Sequence, residues 1–211
     1  MNDYLVFDLE TQRSAMEVGG WDNIADMKMS VGVIWDSRRN DFSIYLEEQV
    51  WDLINHLKSG PVVVGYNHIG FDYTVLSGYS SHGDDRKKLF DELKALNNFD
   101  LLIDIKNRIG RRIKLDSVAR PTLKIGKSAD GLMALKWYKE YLEGDDEKLQ
   151  MIVDYCQQDV AVTRDVYLYG INNGEIIYED KYEGLKTINV DWQTSEESDS
   201  PDTAESEQLS F

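Results

Sequence analysis

The sequence predicts an α/β fold, with a mixed sheet of about five strands (three antiparallel, then parallel) and helices on both faces. Two observations lead to this prediction. Short apolar runs at residues 4–8, 62–64 and 101–105 have the length and composition of strands buried in a sheet. Residues 148–169 instead repeat apolar side chains at three- and four-residue spacing, which is typical of a helix packed on a core.

The first three strands are predicted to form an antiparallel meander. Residues 4–8 are the first strand, and residues 29–35 and 41–45 are the next two. The polar residues 36–40 between them suit a hairpin connection. The later strands, 62–64 and then 101–105, follow helical segments, and a crossover of this kind gives parallel pairing.

The helices are predicted from apolar spacing and from stop signals. Residues 47–58 carry apolar side chains at helical spacing, and Pro61 follows shortly after the end of the helix. Residues 71–76 predict a short helix, residues 85–96 a clearer amphipathic one, and residues 148–169 the most regular one. A closing hairpin is predicted from residues 175–178 and 187–190.

Composition limits the class of protein. A chain of 211 residues fits one domain with a sizeable core. No apolar run approaches the roughly 20 residues that span a bilayer, and no signal pattern opens the chain, so we expect no membrane partner. The single cysteine, Cys156, excludes an internal disulfide and fits a reducing, cytoplasmic setting. The net charge of −16 argues against indiscriminate binding of nucleic acid.

Asp8 and Glu10 form the first candidate site. They lie two residues apart at the end of the first strand, so both side chains should share one face while Leu9 packs on the other. Ligands of parallel sheets bind at such strand ends. The alternative is that an Asp at a strand end only caps a turn.

Asp72 and the pair Tyr155 and Asp159 are the other candidates. Asp72 follows a turn that includes Asn67 and could simply cap a helix, and we expect His68 in the same turn to be a surface residue. Tyr155 and Asp159 lie four residues apart on the most regular helix and share one face. A carboxylate on a core-facing stripe is costly unless it is paired or binds a metal.

Together these acids are suited to phosphodiester hydrolysis. Two divalent ions roughly 4 Å apart can activate water and neutralise the charge that develops at phosphorus. Mg²⁺ prefers carboxylate oxygens, so three or four Asp or Glu ligands are expected, with no Cys or His.

The segments FDLET, NHIGFD and YCQQD resemble the three motifs of the DEDD exonuclease superfamily, in its tyrosine branch. That branch includes proofreading domains of several DNA polymerases, ribonuclease D and helicase-associated predicted exonucleases. The resemblance spans roughly residues 4–169 and implies a ribonuclease-H-like fold. It also implies 3′→5′ removal of nucleotides with two Mg²⁺ or Mn²⁺ ions as cofactors. The metal ligands implied are Asp8, Glu10, Asp72 and Asp159, with Tyr155 contacting the attacking water.

Further contacts are expected around this centre. By the same resemblance Thr11 would lie near the terminal sugar, and Asn67 is a candidate substrate contact. Asp104 is expected to end a neighbouring strand, either touching the site or forming a turn. The substrate would be single-stranded, with DNA favoured over RNA. The alternatives are a catalytically silent adaptor with the same fold and a ribonuclease-H-like endonuclease.

A basic strip at residues 106–127 interrupts the acidic chain. It holds eight Lys or Arg and one acid, Asp116, for a net charge of +7. Such a strip could hold a nucleic-acid strand beside the carboxylates, or it could be an ordinary solvated surface. The candidate substrate-binding residues in the strip are Arg111, Arg112, Lys114 and Lys124.

The C-terminal segment, residues 191–211, has a different composition from the predicted domain at residues 1–190. It contains seven acids and no base, and it cannot bury enough apolar surface to fold alone, so disorder is expected. Its last residues, 207–211, resemble a shortened bacterial sliding-clamp-binding peptide, although such an ending can also arise by chance. A replication or repair protein is therefore a possible partner for this segment.

Overall fold

A computed structural model describes residues 3–81, 83–126 and 132–192 of the chain. Lys127, at the end of the basic strip, and residues 193–211, with the clamp-like peptide, lie outside the described residues. Within the described ranges, no helix is both long and apolar enough to cross a bilayer.

The main sheet has five strands in the order β3-β2-β1-β4-β5. The central strand β1 pairs antiparallel with β2 on one side and parallel with β4 on the other, and β5 continues the parallel half. This confirms the predicted mixed sheet, with three antiparallel strands followed by parallel ones. The strands are β1 (Leu5–Thr11), β2 (Met29–Asp36), β3 (Asp41–Leu46), β4 (Val63–Gly65) and β5 (Asn98–Asp100).

Helices follow the strands, and a separate two-stranded hairpin closes the described chain. The long helix near the C-terminus packs on β1, β2 and β4. The helices are α1 (Val50–Ser59), α2 (Asp72–Ser77), α3 (Asp84–Lys94), α4 (Leu101–Ile109), α5 (Leu115–Leu123), α6 (Leu132–Leu142) and α7 (Glu147–Asn173), and the hairpin is β6 (Glu175–Asp180) with β7 (Gly184–Asn189).

The predicted strand at residues 101–105 is wrong, because these residues form the first turns of α4 and the strand β5 comes just before them. The cause is Asp100, whose carboxylate accepts hydrogen bonds from the backbone N–H groups of Leu102 and Ile103 and so starts a helix. An apolar run of this length fits either a buried strand or a buried helix face.

Alternation along β1 separates two cores. Val6 belongs to the core beneath α7, and Phe7 and Leu9 belong to the core on the other face of the sheet. Asp8 and Glu10 follow the parity of Val6, so they face α7 at the end of the strand where the register shifts. The carboxylates of Asp8 and Glu10 therefore both lie on the face of the sheet that packs against α7.

Packing continues past the predicted domain boundary at residue 190. Trp192 is buried, stacks against Tyr167 and contacts Phe99 edge-on. A side chain at Gly170 would place its Cβ 2.2 Å from the Trp192 ring, so this position must be glycine. Asp191 forms an ion pair with Arg108 on α4. The described part of the C-terminal segment is thus attached to the domain.

Candidate functional site

Three carboxylates converge where the end of β1 meets α7. Asp8 and Glu10 from β1 and Asp159 from α7 each offer an oxygen atom, and these atoms all lie within 4.8 Å of one another. The three side chains are partly exposed, so the cluster can be reached from solvent. Residues far apart in sequence thus form one acidic centre, which we call the carboxylate cluster.

Asp72 reaches the same strand from α2. It is the first residue of that helix, is 2% exposed, and its Oδ1 accepts a hydrogen bond of 3.1 Å from the backbone N–H of Leu9. After burial, which is the largest cause, its charge contributes to the raised pKa of both Asp8 and Glu10. Asp72 therefore lies next to the cluster, tied to the backbone between the two strand carboxylates.

Asp100 positions the turn that leads into Asp72. Besides starting α4, its carboxylate accepts hydrogen bonds from the backbone N–H groups of Asn67 (2.9 Å) and Ile69 (3.1 Å). Asn67 has a φ of 69°, a left-handed conformation that Asn tolerates better than most residues. Four donated hydrogen bonds thus make this one buried side chain the support of the turn.

The expectation that His68 lies at the surface is wrong. Its side chain is 0% exposed, with Nε2 3.2 Å from Asn98 Oδ1, and burial lowers its pKa. A Cβ at Gly65 would lie 2.7 Å from the His68 ring, so the strand β4 must carry glycine there. His68 is a packed part of the turn and does not belong to the carboxylate cluster.

Tyr155 lies one helical turn before Asp159 on α7. Its hydroxyl hydrogen-bonds the Asp159 carboxylate, and the ring of Trp137 on α6 packs edge-on against it with centroids 6.3 Å apart. The adjacent Cys156 is buried, and its Sγ lies 3.5 Å from the backbone oxygen of Asp8. These contacts fix the orientation of Tyr155 and hold α7 against β1.

The cluster has an excess of negative charge. Burial and then the neighbouring carboxylates raise the pKa of Asp8 and of Glu10 well above the usual range. Burial raises the pKa of Asp159 to about 6, although the hydrogen bond from Tyr155 acts in the opposite direction. Within the described part of the chain, no Lys or Arg forms an ion pair with these three acids. Such a site gains stability from any cation it can hold.

The chemistry of the donor set fits hard divalent cations. Every member offers carboxylate oxygen, which suits Mg²⁺ and Mn²⁺, and neither His nor Cys contributes a ligand atom to the group. Asp8, Glu10 and Asp159 could therefore hold metal, with Asp72 beside them.

Asp104, predicted from the sequence as a neighbour of the carboxylate cluster, lies elsewhere, and two residues that do lie near the site were not predicted. Asp104 is on α4, not at a strand end, and its carboxylate accepts hydrogen bonds from Arg108 and from Trp192 Nε1. Asp116 on α5 raises the pKa of Asp159, although its spacing to Arg120 indicates only a helical ion pair. Trp137 had no signal in the sequence, because only tertiary packing brings α6 against Tyr155.

The residues expected to contact the substrate differ in their surroundings. Thr11 is buried, and its hydroxyl donates to the backbone oxygen of Arg13 at 3.2 Å. The side-chain oxygen of Asn67 accepts a hydrogen bond of 2.8 Å from Arg112. Arg112 and Lys114 line a cleft of about 380 Å³. Arg112 thus connects the basic strip to the turn that precedes Asp72.

Much of the positive charge of the basic strip is already paired. Arg108 binds Asp104 and Asp191. Arg111 binds Asp180 in the closing hairpin, and Arg120 binds Asp116 and Glu179. The net charge of the strip counted along the sequence therefore overstates the field that it presents to a ligand.

The chain belongs to the RNase H superfamily, whose family model matches residues 5–169, more than half of the sequence. Among solved structures it is similar to the family B DNA polymerase of the hyperthermophilic archaeon Pyrobaculum calidifontis, with 18% sequence identity and a TM-score of 0.57. That alignment covers 81% of this chain and 25% of the polymerase, so the chain spans about a quarter of the polymerase's length. No curated protein gives a significant match.

The superfamily and the carboxylate cluster together indicate a nuclease. RNase H-like nucleases use divalent metals, and the cluster offers oxygen ligands of the required kind where β1 meets α7.

If the cluster is strained by its own charge, Asp159→Asn should stabilise the protein in EDTA at pH 7.5 by on the order of 1–2 kcal/mol. Because the pKa of Asp159 is raised in the folded protein, the folded protein binds more protons than the unfolded chain. The loss of folding stability caused by ionised Asp159 therefore grows as pH rises above about 4 and through about 6. The gain should therefore shrink between pH 7.5 and pH 5, as measured by urea unfolding.

Asp100→Asn is the matched control. Its carboxylate accepts four backbone hydrogen bonds, so this substitution should destabilise the protein by about 1–3 kcal/mol. Equal losses of stability in the two variants would contradict the picture of a self-repelling cluster.

Proposed function

We propose that the protein is a 3′→5′ exonuclease of the tyrosine branch of the DEDD superfamily. It would remove nucleoside 5′-monophosphates from single-stranded nucleic acid, with DNA favoured. The observation that carries the proposal is the convergence of Asp8, Glu10 and Asp159 within 4.8 Å, with Tyr155 hydrogen-bonded to Asp159. The sequence motifs that resemble this branch supply those same residues.

The metal-binding residues would be Asp8, Glu10, Asp72 and Asp159. When bound, two Mg²⁺ or Mn²⁺ ions would activate water and offset the charge on the pentavalent phosphorus and on the leaving oxygen. In the reaction the water oxygen bonds to phosphorus, the bond from phosphorus to the O3′ of the preceding nucleotide breaks, and the O3′ takes up a proton.

Tyr155 would orient the attacking water. Burial and then the charge of Asp159 raise its pKa well above 10, so the hydroxyl keeps its proton at neutral pH and is a poor general base. It can donate to Asp159 or accept from a water between them. Trp137 against its ring and the rigid helix α7 limit the positions that the hydroxyl can take.

Two other functions fit the same fold, a catalytically silent adaptor and an endonuclease. Both are disfavoured by the hydrogen-bonded Tyr155, since an adaptor has no use for it and the tyrosine motif belongs to the exonuclease branch. The assay that separates the three uses 5′-labelled linear DNA, the matching RNA, and circular single-stranded DNA, each with Mn²⁺ or Mg²⁺. A ladder that shortens from the 3′ end with intact circles supports the proposal, and cut circles would support an endonuclease.

Asp8→Asn should abolish this cleavage, because the variant loses a carboxylate from the centre of the cluster. The matched control is Asp154→Asn, which removes an exposed carboxylate of α7 that is bonded only to Gln150 within the described chain. The control should cleave at the wild-type rate in the end-label assay. Full activity of Asp8→Asn at saturating Mn²⁺ would contradict the assigned centre.

Tyr155→Phe should lower turnover by on the order of 10²–10³ while metal affinity stays close to wild type, because only a positioning hydroxyl is lost. Single-turnover kinetics and Mn²⁺ titration calorimetry would measure the two quantities. Tyr169→Phe on the same helix is the control, and it should change neither. A wild-type rate in Tyr155→Phe would show that the tyrosine is only a packing residue.

The basic strip would add contacts to the nucleic-acid strand. The proposed residues of the strip are Arg111, Arg112, Lys114 and Lys124. Thr11 and Asn67 would contact the substrate nearer the carboxylate cluster. Arg112 is best placed, since it contacts the turn before Asp72. A sliding-clamp partner for residues 207–211 remains a separate proposal, as does a cytoplasmic location.

Arg112→Gln should weaken binding of a single-stranded oligonucleotide and reduce the slope of log affinity against log salt by roughly 0.7, the value for one phosphate contact. Arg108→Gln is the control, because Arg108 is already paired with Asp104 and Asp191. Fluorescence anisotropy over a salt series measures both, and equal slopes in all three proteins would remove Arg112 from the substrate path.

A further inference from the structure

The connection between β1 and β2 continues directly from the carboxylate cluster. Arg13 lies three residues after Glu10, so their Cα atoms are at most about 11 Å apart. Backbone hydrogen bonds from Gln12 to Lys28 and from Arg13 to Met27 close the connection into a loop. The loop includes a short 3-10 helix, Trp21–Asp26. Arg13 therefore lies on the loop that begins next to the cluster.

A cleft of about 600 Å³ lies between this loop and the segment that joins α2 to α3. Three cationic side chains line it: Arg13 and Lys28 from the loop, and Arg86 from the first turn of α3. The aromatic ring of Tyr79 lines it as well, with Lys28 Nζ 4.1 Å from the ring centroid. The cleft therefore combines positive charge with an aromatic surface.

These cations have few anionic partners. Arg86 pairs with Asp26 at 2.9 Å, but its Nε is buried and has no hydrogen-bond partner. Lys28 Nζ donates to the backbone oxygen of Gly78. No described carboxylate forms an ion pair with Arg13 or Lys28. A buried donor without an acceptor is costly, so the cleft has spare capacity for an anion.

The charges within the cleft repel one another. Burial and then the nearby Arg86 lower the pKa of Lys28, and Arg13 acts in the same direction, while Glu47 and Asp26 oppose this shift without reversing it. Two other carboxylates, Glu17 in the lining of the cleft and Glu47 outside the lining, have further partners. Glu17 pairs with Lys139 at 2.7 Å and accepts from Ser14, and Glu47 accepts hydrogen bonds from Tyr79 and Gln12. An anion from outside would relieve this repulsion.

The same loop exposes two large apolar side chains. Trp21 is 70% exposed and Met16 is 91% exposed, although side chains of this size are usually covered. Proteins that bind single strands combine a basic groove with aromatic rings on which bases stack. Trp21 lies in the loop between Val18 and Asp26, two residues that line the cationic cleft, so this loop offers the same combination.

We propose that the β1–β2 loop and its cleft bind one internal phosphate of a single-stranded nucleic acid through Arg13, Lys28 and Arg86, with a neighbouring base stacked on Trp21. The proposal deepens the proposed function and rests on it, since the cleft would hold the substrate beside the carboxylate cluster. The phosphate could also come from free nucleotide, and the experiment separates these sources.

The test uses 5′-fluorescein-labelled single-stranded 12-mers that carry one neutral methylphosphonate at each position in turn, bound to the full chain in EDTA. Wild type should lose affinity at one position near the 3′ end. The double variant Arg13→Gln with Arg86→Gln should bind the all-phosphate 12-mer several-fold more weakly and be indifferent to that substitution. Arg39→Gln, at the opposite end of the sheet, should retain the wild-type pattern.

Trp21→Ala tests the stacking part. It should weaken 12-mer binding by on the order of tenfold, and an abasic nucleotide at one position should abolish the difference between this variant and wild type. Trp51→Ala is the control, since Trp51 is also partly exposed but lies on α1. Equal affinity of wild type and Trp21→Ala for the intact 12-mer would overturn the stacking contact.

The outcomes distinguish the inference from the function on which it rests. If the double variant keeps the wild-type sensitivity to every methylphosphonate, the cleft does not hold a strand phosphate, while cleavage by wild type still supports the exonuclease. If nucleoside monophosphate binds wild type but not the double variant, and no methylphosphonate position weakens 12-mer binding to wild type, the cleft holds free nucleotide and the strand proposal is overturned. If wild type neither binds nor cleaves any oligomer, both fail.

Discussion

Repulsion among carboxylates at the end of β1 is the constraint on which the rest of the structure depends. Asp8, Glu10 and Asp159 lie within 4.8 Å of one another, and no described cationic side chain is paired with them. A site of this kind is costly in the folded protein unless protons or cations offset its charge. The surrounding packing must therefore be strong enough to hold the acids together. Tyr155, Trp137 and the buried Cys156 provide part of that packing on α7 and α6.

The position of β1 in the sheet explains how three separate segments meet. As the central strand it has neighbours on both sides, with β2 paired along its length to Thr11 and β4 paired at its start, at Leu5 and Val6. Asp72 binds the backbone N–H of Leu9, and the turn before Asp72 is held by Asp100, which also begins α4. A change at Asp100 would thus affect the cluster through the turn, although Asp100 is not itself one of the three clustered carboxylates.

Much of the centre could be predicted from sequence, because its signals are local. The two-residue spacing of Asp8 and Glu10 on a strand and the four-residue spacing of Tyr155 and Asp159 on a helix fix which side chains share a face. The misplaced strand at residues 101–105 and the buried His68 have different causes. The helix at residues 101–105 starts from a local cap, the Asp100 carboxylate bonded to Leu102 and Ile103, whereas His68 is buried against Asn98 and Asp100, which lie about 30 residues away in the chain. No local pattern reports contacts of that range.

The positive charge that the protein can offer to a ligand also depends on tertiary contacts that the sequence does not show. Counted along the chain, residues 106–127 form the positive region, yet Arg108, Arg111 and Arg120 are paired with acids from distant segments. The cations of the cleft beside Arg13 come from three separate places in the sequence and do not form a run, but fewer acids compete for them. In a protein of net charge −16, attraction of a polyanion depends on unpaired local cations and not on totals. The position of such cations relative to the carboxylate cluster then decides where a nucleic-acid strand can bind.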